Sequence, residues 1–271
     1  MLLSILFGLM VGLSLGLTGG GGAVIAVPLL VYGLGIPPRE AVAVSLAAVG
    51  AMSVVGFLHR WMLGEVETRT GLLFAVAGMV GAPLGTWLAG FLSDAVLLLA
   101  FGTLMVVVAV RMWRQASKPQ ETQAPAPLLE EVGGPTCRRD TTHSLVLTTR
   151  CAALLLTVGV STGVLSGLFG VGGGFIIVPA LVLFSGMAIH RAVGTSLMVI
   201  ALVSASGVAT QIWSGQAIPL GITALFVLAG IGGLFLGQQI ARRISRAVLQ
   251  KVFVVVLLGV AAFVMVRNLL G

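Results

Sequence analysis

The chain has 271 residues, 58% of them apolar and 8% charged, with a net charge of +7 and a mean hydropathy of +1.14. A soluble domain carries about 25% charged residues, so this composition excludes one and describes a polytopic membrane protein. The surplus of Lys and Arg belongs to loops bordering apolar spans. No nucleic-acid partner is expected, and the expected surroundings are a lipid bilayer.

The first apolar run, Leu2 to Leu17, has signal-peptide length but no basic n-region and no small-residue cleavage site, and is read as retained. It leads into Gly16-Leu17-Thr18-Gly19-Gly20-Gly21-Gly22-Ala23-Val24-Ile25-Ala26-Val27-Pro28. Such a glycine run breaks a membrane helix, and irregular backbone at membrane depth persists only where it is buried in protein or lines a polar cavity. After this broken segment, at about 2 to 33, come apolar spans at about 40 to 60, 70 to 92 and 94 to 113. Each is long enough to cross roughly 30 Å of hydrocarbon as a helix. Residues 115–147, with Pro119, Pro125, Pro127, Pro135 and mixed charges, lack the apolar surface to fold alone and read as a cytoplasmic linker. The two cysteines, Cys137 and Cys151, fit neither a disulfide framework nor a zinc pattern and are read as free thiols.

Beyond the linker the chain repeats itself. A second broken segment, at about 150 to 184, carries Gly167-Leu168-Phe169-Gly170-Val171-Gly172-Gly173-Gly174-Phe175-Ile176-Ile177-Val178-Pro179. Spans follow at about 191 to 213, 218 to 240 and 247 to 268. With an offset of 151, residues 16–46 match 167–197 at fifteen of thirty-one positions, including Ser45 with Ser196, far above what apolar bias gives. The domains are therefore a membrane repeat over 1–114, the linker over 115–147, and a second membrane repeat over 148–271.

Charge sets the orientation, because loops rich in Lys and Arg stay cytoplasmic. If each broken segment returns to the face where it began, thirteen basic residues fall on one face and only Arg39 and Arg267 on the other. Each half then crosses an odd number of times. The expected fold is all-α, with two inverted repeats, each a Gly-broken re-entrant or half-spanning first segment plus three transmembrane helices. Both termini would lie outside an inner, cytoplasmic membrane.

Matched breaks are the best sequence pointer to a transporter's substrate site. Each is followed by a short apolar helix, whose first N–H groups are unpaired and partly positive and can hold an anion without a basic side chain. Gly19, Gly20, Gly21, Gly22, Gly170, Gly172, Gly173 and Gly174 are thus candidate substrate-lining residues, and Pro28 and Pro179 are structural. The alternative is that the glycines serve only close helix packing. Ser45, Thr195 and Ser196, about one turn inside the following helices, are candidate hydroxyl donors, although a membrane serine often bonds its own backbone instead. Gln211, His59 and Trp213 are weaker candidates, Arg60 belongs to the basic face, and Arg191 stands where it could draw anions to the entrance.

The eight acidic residues all map to helix ends or loops, which leaves no mid-membrane carboxylate for a proton relay or a cation. No nucleophile, metal cluster or carboxylate pair appears at depth either, so no enzyme, metal or cofactor is expected.

The motif Gly-x-Gly-Gly-Gly-x-Ile-x-Val-Pro, followed by His190-x-Ala192-x-Gly194-Thr195-Ser196-Leu197 and duplicated, resembles the TauE/SafE family of sulfite and organosulfonate transporters. The first half departs from it, with Ala43-Val44-Ser45 for Gly194-Thr195-Ser196 and Gly22-Ala23 for Gly173-Gly174. The resemblance implies movement of a small sulfur oxyanion or sulfonate, with export the expected direction. A channel and a non-transporting scaffold remain open as alternatives.

Overall fold

The computed structural model describes residues 2–116, 149–185, 187, 189–215, 219–241, 254–255 and 258–267. Most of the 115–147 linker, Cys137, the 242–251 segment with its basic residues and much of the last expected span lie outside them. Among the described residues the fold is helical, without strands.

The helices are α1 (Leu2–Thr18), α2 (Ala23–Pro28), α3 (Pro38–Met62), α4 (Thr68–Phe91), α5 (Asp94–Ala116), α6 (Thr149–Phe169), α7 (Gly174–Ser185), α8 (Ile189–Trp213) and α9 (Leu220–Ala241), with a further helix, α10, at Leu258–Arg267. A π-helical turn, Leu29–Gly33, extends α2. Helices α3, α4, α6, α8 and α9 are long and apolar enough to cross a membrane.

Local chemistry sets the ends of α3. Pro38 stands in its first turn, where a missing N–H costs nothing, with Glu40 near that end and His59 and Arg60 at the other, matching the helix dipole. Gly64, at φ +69°, stops it: its N–H donates to the Trp61 carbonyl and that of Glu65 to the Arg60 carbonyl, the paired bonds of a left-handed glycine cap.

Packing is reciprocal between the halves. Helix α1 lies mainly on α9, and its repeat mate α6 lies mainly on α4, the mate of α9. Both seams use glycine to bring backbones together: a Cβ on Gly12 would strike the Gly230 carbonyl, and one on Gly163 the Gly78 carbonyl. Small residues are how apolar helices approach one another where lipid provides no hydrophobic drive.

The neighbours also give helix directions. Gly50 meets Ser204, Gly56 meets Leu197 and Gly207 meets Leu46, so α3 and its mate α8 cross antiparallel near their midpoints. Contacts of Gly71 with Met198 and of Gly78 with Val203 make α4 parallel to α8. Those of Gly159 with Phe74 and of Gly167 with Ala82 make α6 parallel to α4. Helix α7 starts level with Ile200, in the middle of α8, and ends just before α8 begins. It therefore runs back through about half the depth of α8.

On the outside of α4, Leu72, Val76, Val80, Leu84, Trp87 and Phe91 recur near every fourth residue and are exposed. This is the stripe an apolar solvent covers. Trp61 and Trp213 are exposed at helix ends, the kind of position where tryptophan meets a membrane–water interface.

Candidate functional site

The two glycine breaks are buried and touch each other. A Cβ on Gly20 would lie 2.6 Å from the Cα of Gly174, and one on Gly174 would lie 2.6 Å from the Cα of Gly20. Only residues without side chains permit that approach. The contact sits at the α3–α8 crossing, since Gly172 packs against Val49 of α3 and against Ile200 and Ser204 of α8.

The breaks open alike, with Gly19 at φ +73° and its mate Gly170 at +70°, and then part in backbone conformation. Gly170, Gly172 and Gly173 have φ of +70°, +67° and +67°. Gly22, the mate of Gly173, has φ −62°, so its glycine is required by space: a Cβ there would lie 2.4 Å from the Leu15 nitrogen. The helix after the first break is six residues long before it opens into the π turn, whereas α7 continues for twelve. Gly21 is buried with its neighbours.

Ser45 and Ser196 are both fully buried, and each reaches into the other half. The Ser45 hydroxyl donates to the Gly170 carbonyl at 2.7 Å. The Ser196 hydroxyl lies 2.7 Å from the Gly19 carbonyl and 2.8 Å from that of Val193. A hydroxyl has one hydrogen, so these serines spend theirs on backbone carbonyls and hold the breaks in place.

Thr195 has a different neighbour. Its hydroxyl oxygen accepts the Glu67 N–H at 2.9 Å, which pins the α3–α4 loop over the start of α8. The same loop carries an Arg60–Glu65 ion pair of 2.7 Å, and the Thr70 hydroxyl donates to the Glu67 carboxylate. Gly194 makes room for it, because a Cβ there would lie 2.4 Å from the Glu65 carbonyl oxygen. Val44, the mate of Thr195, has no hydroxyl to hold the other face in this way.

At the opposite ends of α3 and α8, a cleft of about 270 Å³ is lined by Arg39, Val42, Thr86, Trp87, Leu168 and Gln211 among others. Val42 touches Gly170, so the cleft floor adjoins the second break. Arg39 at its edge pairs with Asp94 at 3.2 Å and donates to the Leu92 carbonyl at 2.9 Å. Gln211 is thus at the cleft, Trp213 is exposed, His59 lies edge-on to Phe235, and Arg191 is exposed at the start of α8.

Sequence reasoning passed over Ser53, Ser166 and Ser204. All three are fully buried, and their hydroxyl oxygens have no hydrogen-bond partner. Ser53 and Ser204 are repeat mates at the same offset as Ser45 and Ser196, a signal present in the sequence but inconspicuous among apolar neighbours. Among the described residues no cluster of His, Cys, Asp or Glu suited to a metal ion is found.

The family model described as sulfite exporter TauE/SafE matches residues 4–264. A probable membrane transporter protein of Xylella fastidiosa (strain 9a5c) is 35% identical over 265 residues, covering 96% of this chain and 92% of the relative. The probable membrane transporter protein YunE of Bacillus subtilis is 24% identical over 264 residues, covering 93% and 91%. No solved structure matches the chain.

Proposed function

We propose, from the premise that the chain belongs to the sulfite exporter TauE/SafE family, that this multi-pass membrane transporter carries a small sulfur oxyanion or sulfonate, sulfite foremost, out across the cytoplasmic membrane. The observation that carries the reading is the backbone contact of Gly20 with Gly174 at the α3–α8 crossing. It brings both breaks to the middle of the two longest described helices, where a transporter of broken-helix design holds its ligand.

Gly19 to Gly22 and Gly170 to Gly174 line that place with backbone, and α7 presents its N-terminal dipole to it. The antiparallel crossing of α3 with its mate α8 supports an inverted repeat. The thirteen-to-two bias of basic residues supports a cytoplasmic linker with both termini outside. The pinned α3–α4 loop then closes the cytoplasmic face, and the cleft beside Arg39 opens the outer one. Rocking one repeat against the other exchanges the two states. An anion leaving a negative interior gains about 2.3 kcal/mol per charge per 100 mV, enough to drive export without a coupled ion.

The test is flux of sulfite, thiosulfate and sulfoacetate from proteoliposomes under an imposed potential. Electrogenic movement of one of them, lost in the Gly21→Ala/Gly173→Ala double variant that still folds, supports the reading. Folded protein that moves none of the three overturns it.

A further inference from the structure

Glycine breaks and a helix N-terminus do not by themselves make a binding site. Beside the second break stands a buried hydroxyl without a partner. Gly172 is the residue that turns the chain into α7, and a Cβ built on it would lie 3.4 Å from the Ser204 hydroxyl oxygen. That hydroxyl is fully buried and has no hydrogen-bond partner. It lies beside the break that opens α7, where the Ile176 N–H donates to the Gly173 carbonyl and the N–H groups ahead of it have no i−4 acceptor within the helix.

Across the crossing stands Ser53, likewise fully buried and unpartnered. The contacts of Leu46, Gly50 and Gly56 put one stripe of α3 against Leu197, Ser204 and Gly207 of α8. Ser53 falls on that stripe. In the antiparallel register the two serines lie on either side of the crossing, offset along the axis by about one helical turn of 5.4 Å. A third unpartnered buried hydroxyl, Ser166, is in the last turn of α6, the turn that enters the second break; its repeat mate in the first half is Leu15.

A buried hydroxyl without a partner costs free energy, because the hydrogen bonds it made to water in the unfolded chain are forfeited. Serine persisting at both mates of a repeat otherwise filled with Ala, Val and Leu is therefore a cost kept twice. The serines singled out from sequence cannot serve as donors here, because Ser45 and Ser196 already give their hydrogens to Gly170 and Gly19.

We infer that Ser204, with Ser53 facing it across the α3–α8 crossing, is the side-chain donor of an oxyanion site at the N-terminus of α7. The donors are neutral hydroxyls and backbone N–H groups. They suit an anion with two or more oxygen acceptors, such as a sulfonate or sulfite. The site belongs to the second break rather than to both equally, because the Ser204 hydroxyl lies beside Gly172, and the second break alone enters its helix through left-handed glycines, Gly173 at φ +67° where its mate Gly22 is at −62°. This inference rests on the transport reading above for its setting, but binding alone is enough to test it.

The experiment uses the full chain, with Cys137 and Cys151 replaced by serine, reconstituted in vesicles. Ser204→Cys and Ser53→Cys are each treated with an anionic sulfonatoethyl thiosulfonate reagent and with its cationic trimethylammonioethyl counterpart. The expected result is modification of Ser204→Cys at least tenfold faster by the anionic reagent, slowed by sulfoacetate. In parallel, Ser204→Ala raises the KM for sulfite flux about tenfold, the loss of one hydrogen bond to a charged group, with maximal flux little changed. A Ser204→Cys thiol that reacts with neither reagent or equally with both, or a Ser204→Ala protein with unaltered KM, overturns the inference and leaves the transport reading standing. Charge-selective, sulfoacetate-protected labelling in a protein that moves no anion supports the site and removes the transport reading.

Discussion

Ser45 and Ser196 occupy the same position in the two halves, and each grips the other half's break: Ser45 bonds the Gly170 carbonyl and Ser196 the Gly19 carbonyl, both at 2.7 Å. Since Gly19 and Gly170 are also repeat mates, the pair is a reciprocal clasp. It ties together segments 125 and 177 residues apart in the chain.

Removing either clasp leaves a buried carbonyl without its donor. Ser45→Ala and Ser196→Ala are expected to destabilise the folded protein by about 1–3 kcal/mol each, read as a lowered midpoint of thermal unfolding in detergent. Ser196→Ala should cost the less if the bond shared with Val193 already weakens its grip on Gly19. Equal wild-type stability in both variants would remove the clasp.

Gly170→Ala and Gly90→Ala should part company. Gly170 is at φ +70° and its Cβ would fall 2.7 Å from the Val42 Cα, so the left-handed cost of about 1–2 kcal/mol adds to displacement of α3. Gly90 has nothing within 4 Å of its Cβ position and lies in α4, where alanine gains up to about 1 kcal/mol. The expected outcome is loss of folded protein in the first variant and unchanged or raised unfolding temperature in the second.

Thr195→Val copies the first half's Val44 into the second. It removes the acceptor for the Glu67 N–H and should loosen the α3–α4 loop. A cysteine at Val66 should become several-fold more reactive to a soluble maleimide in Thr195→Val than in the parent. Glu65→Gln, which breaks the half-buried pair with Arg60, should act in the same direction.

Met62 and Trp213 are repeat mates at the ends of α3 and α8, exposed at 87% and 93%. Because these helices cross antiparallel, the two residues lie at opposite ends of the bundle. Met62→Cys should react with an impermeant maleimide only from the cytoplasmic side, and Trp213→Cys only from outside. Labelling of both from one side would rule out the inverted arrangement.

From the order of amino acids alone the chain reads as a helical membrane protein built from a duplicated half, with a glycine break at a matched place in each. Composition, apolar span length and self-similarity are local or additive properties, so they can be read without coordinates. The breaks at Gly19 to Gly22 and Gly170 to Gly174 were legible because glycine runs interrupt an apolar helix wherever it folds. Which serine is spent and which is unpartnered was decided by tertiary structure. Ser45 and Ser204 look alike in sequence, each a serine among small apolar residues. The acceptor for the first is a carbonyl brought from the other half, and the second faces Gly172 with no acceptor at all. The inequality of the two breaks was equally hidden, since Gly22 and Gly173 match in sequence yet take φ of −62° and +67°. The Gly170 and Gly19 carbonyls that accept from Ser45 and Ser196 lie more than a hundred places away in the chain, and only packing brings them within reach.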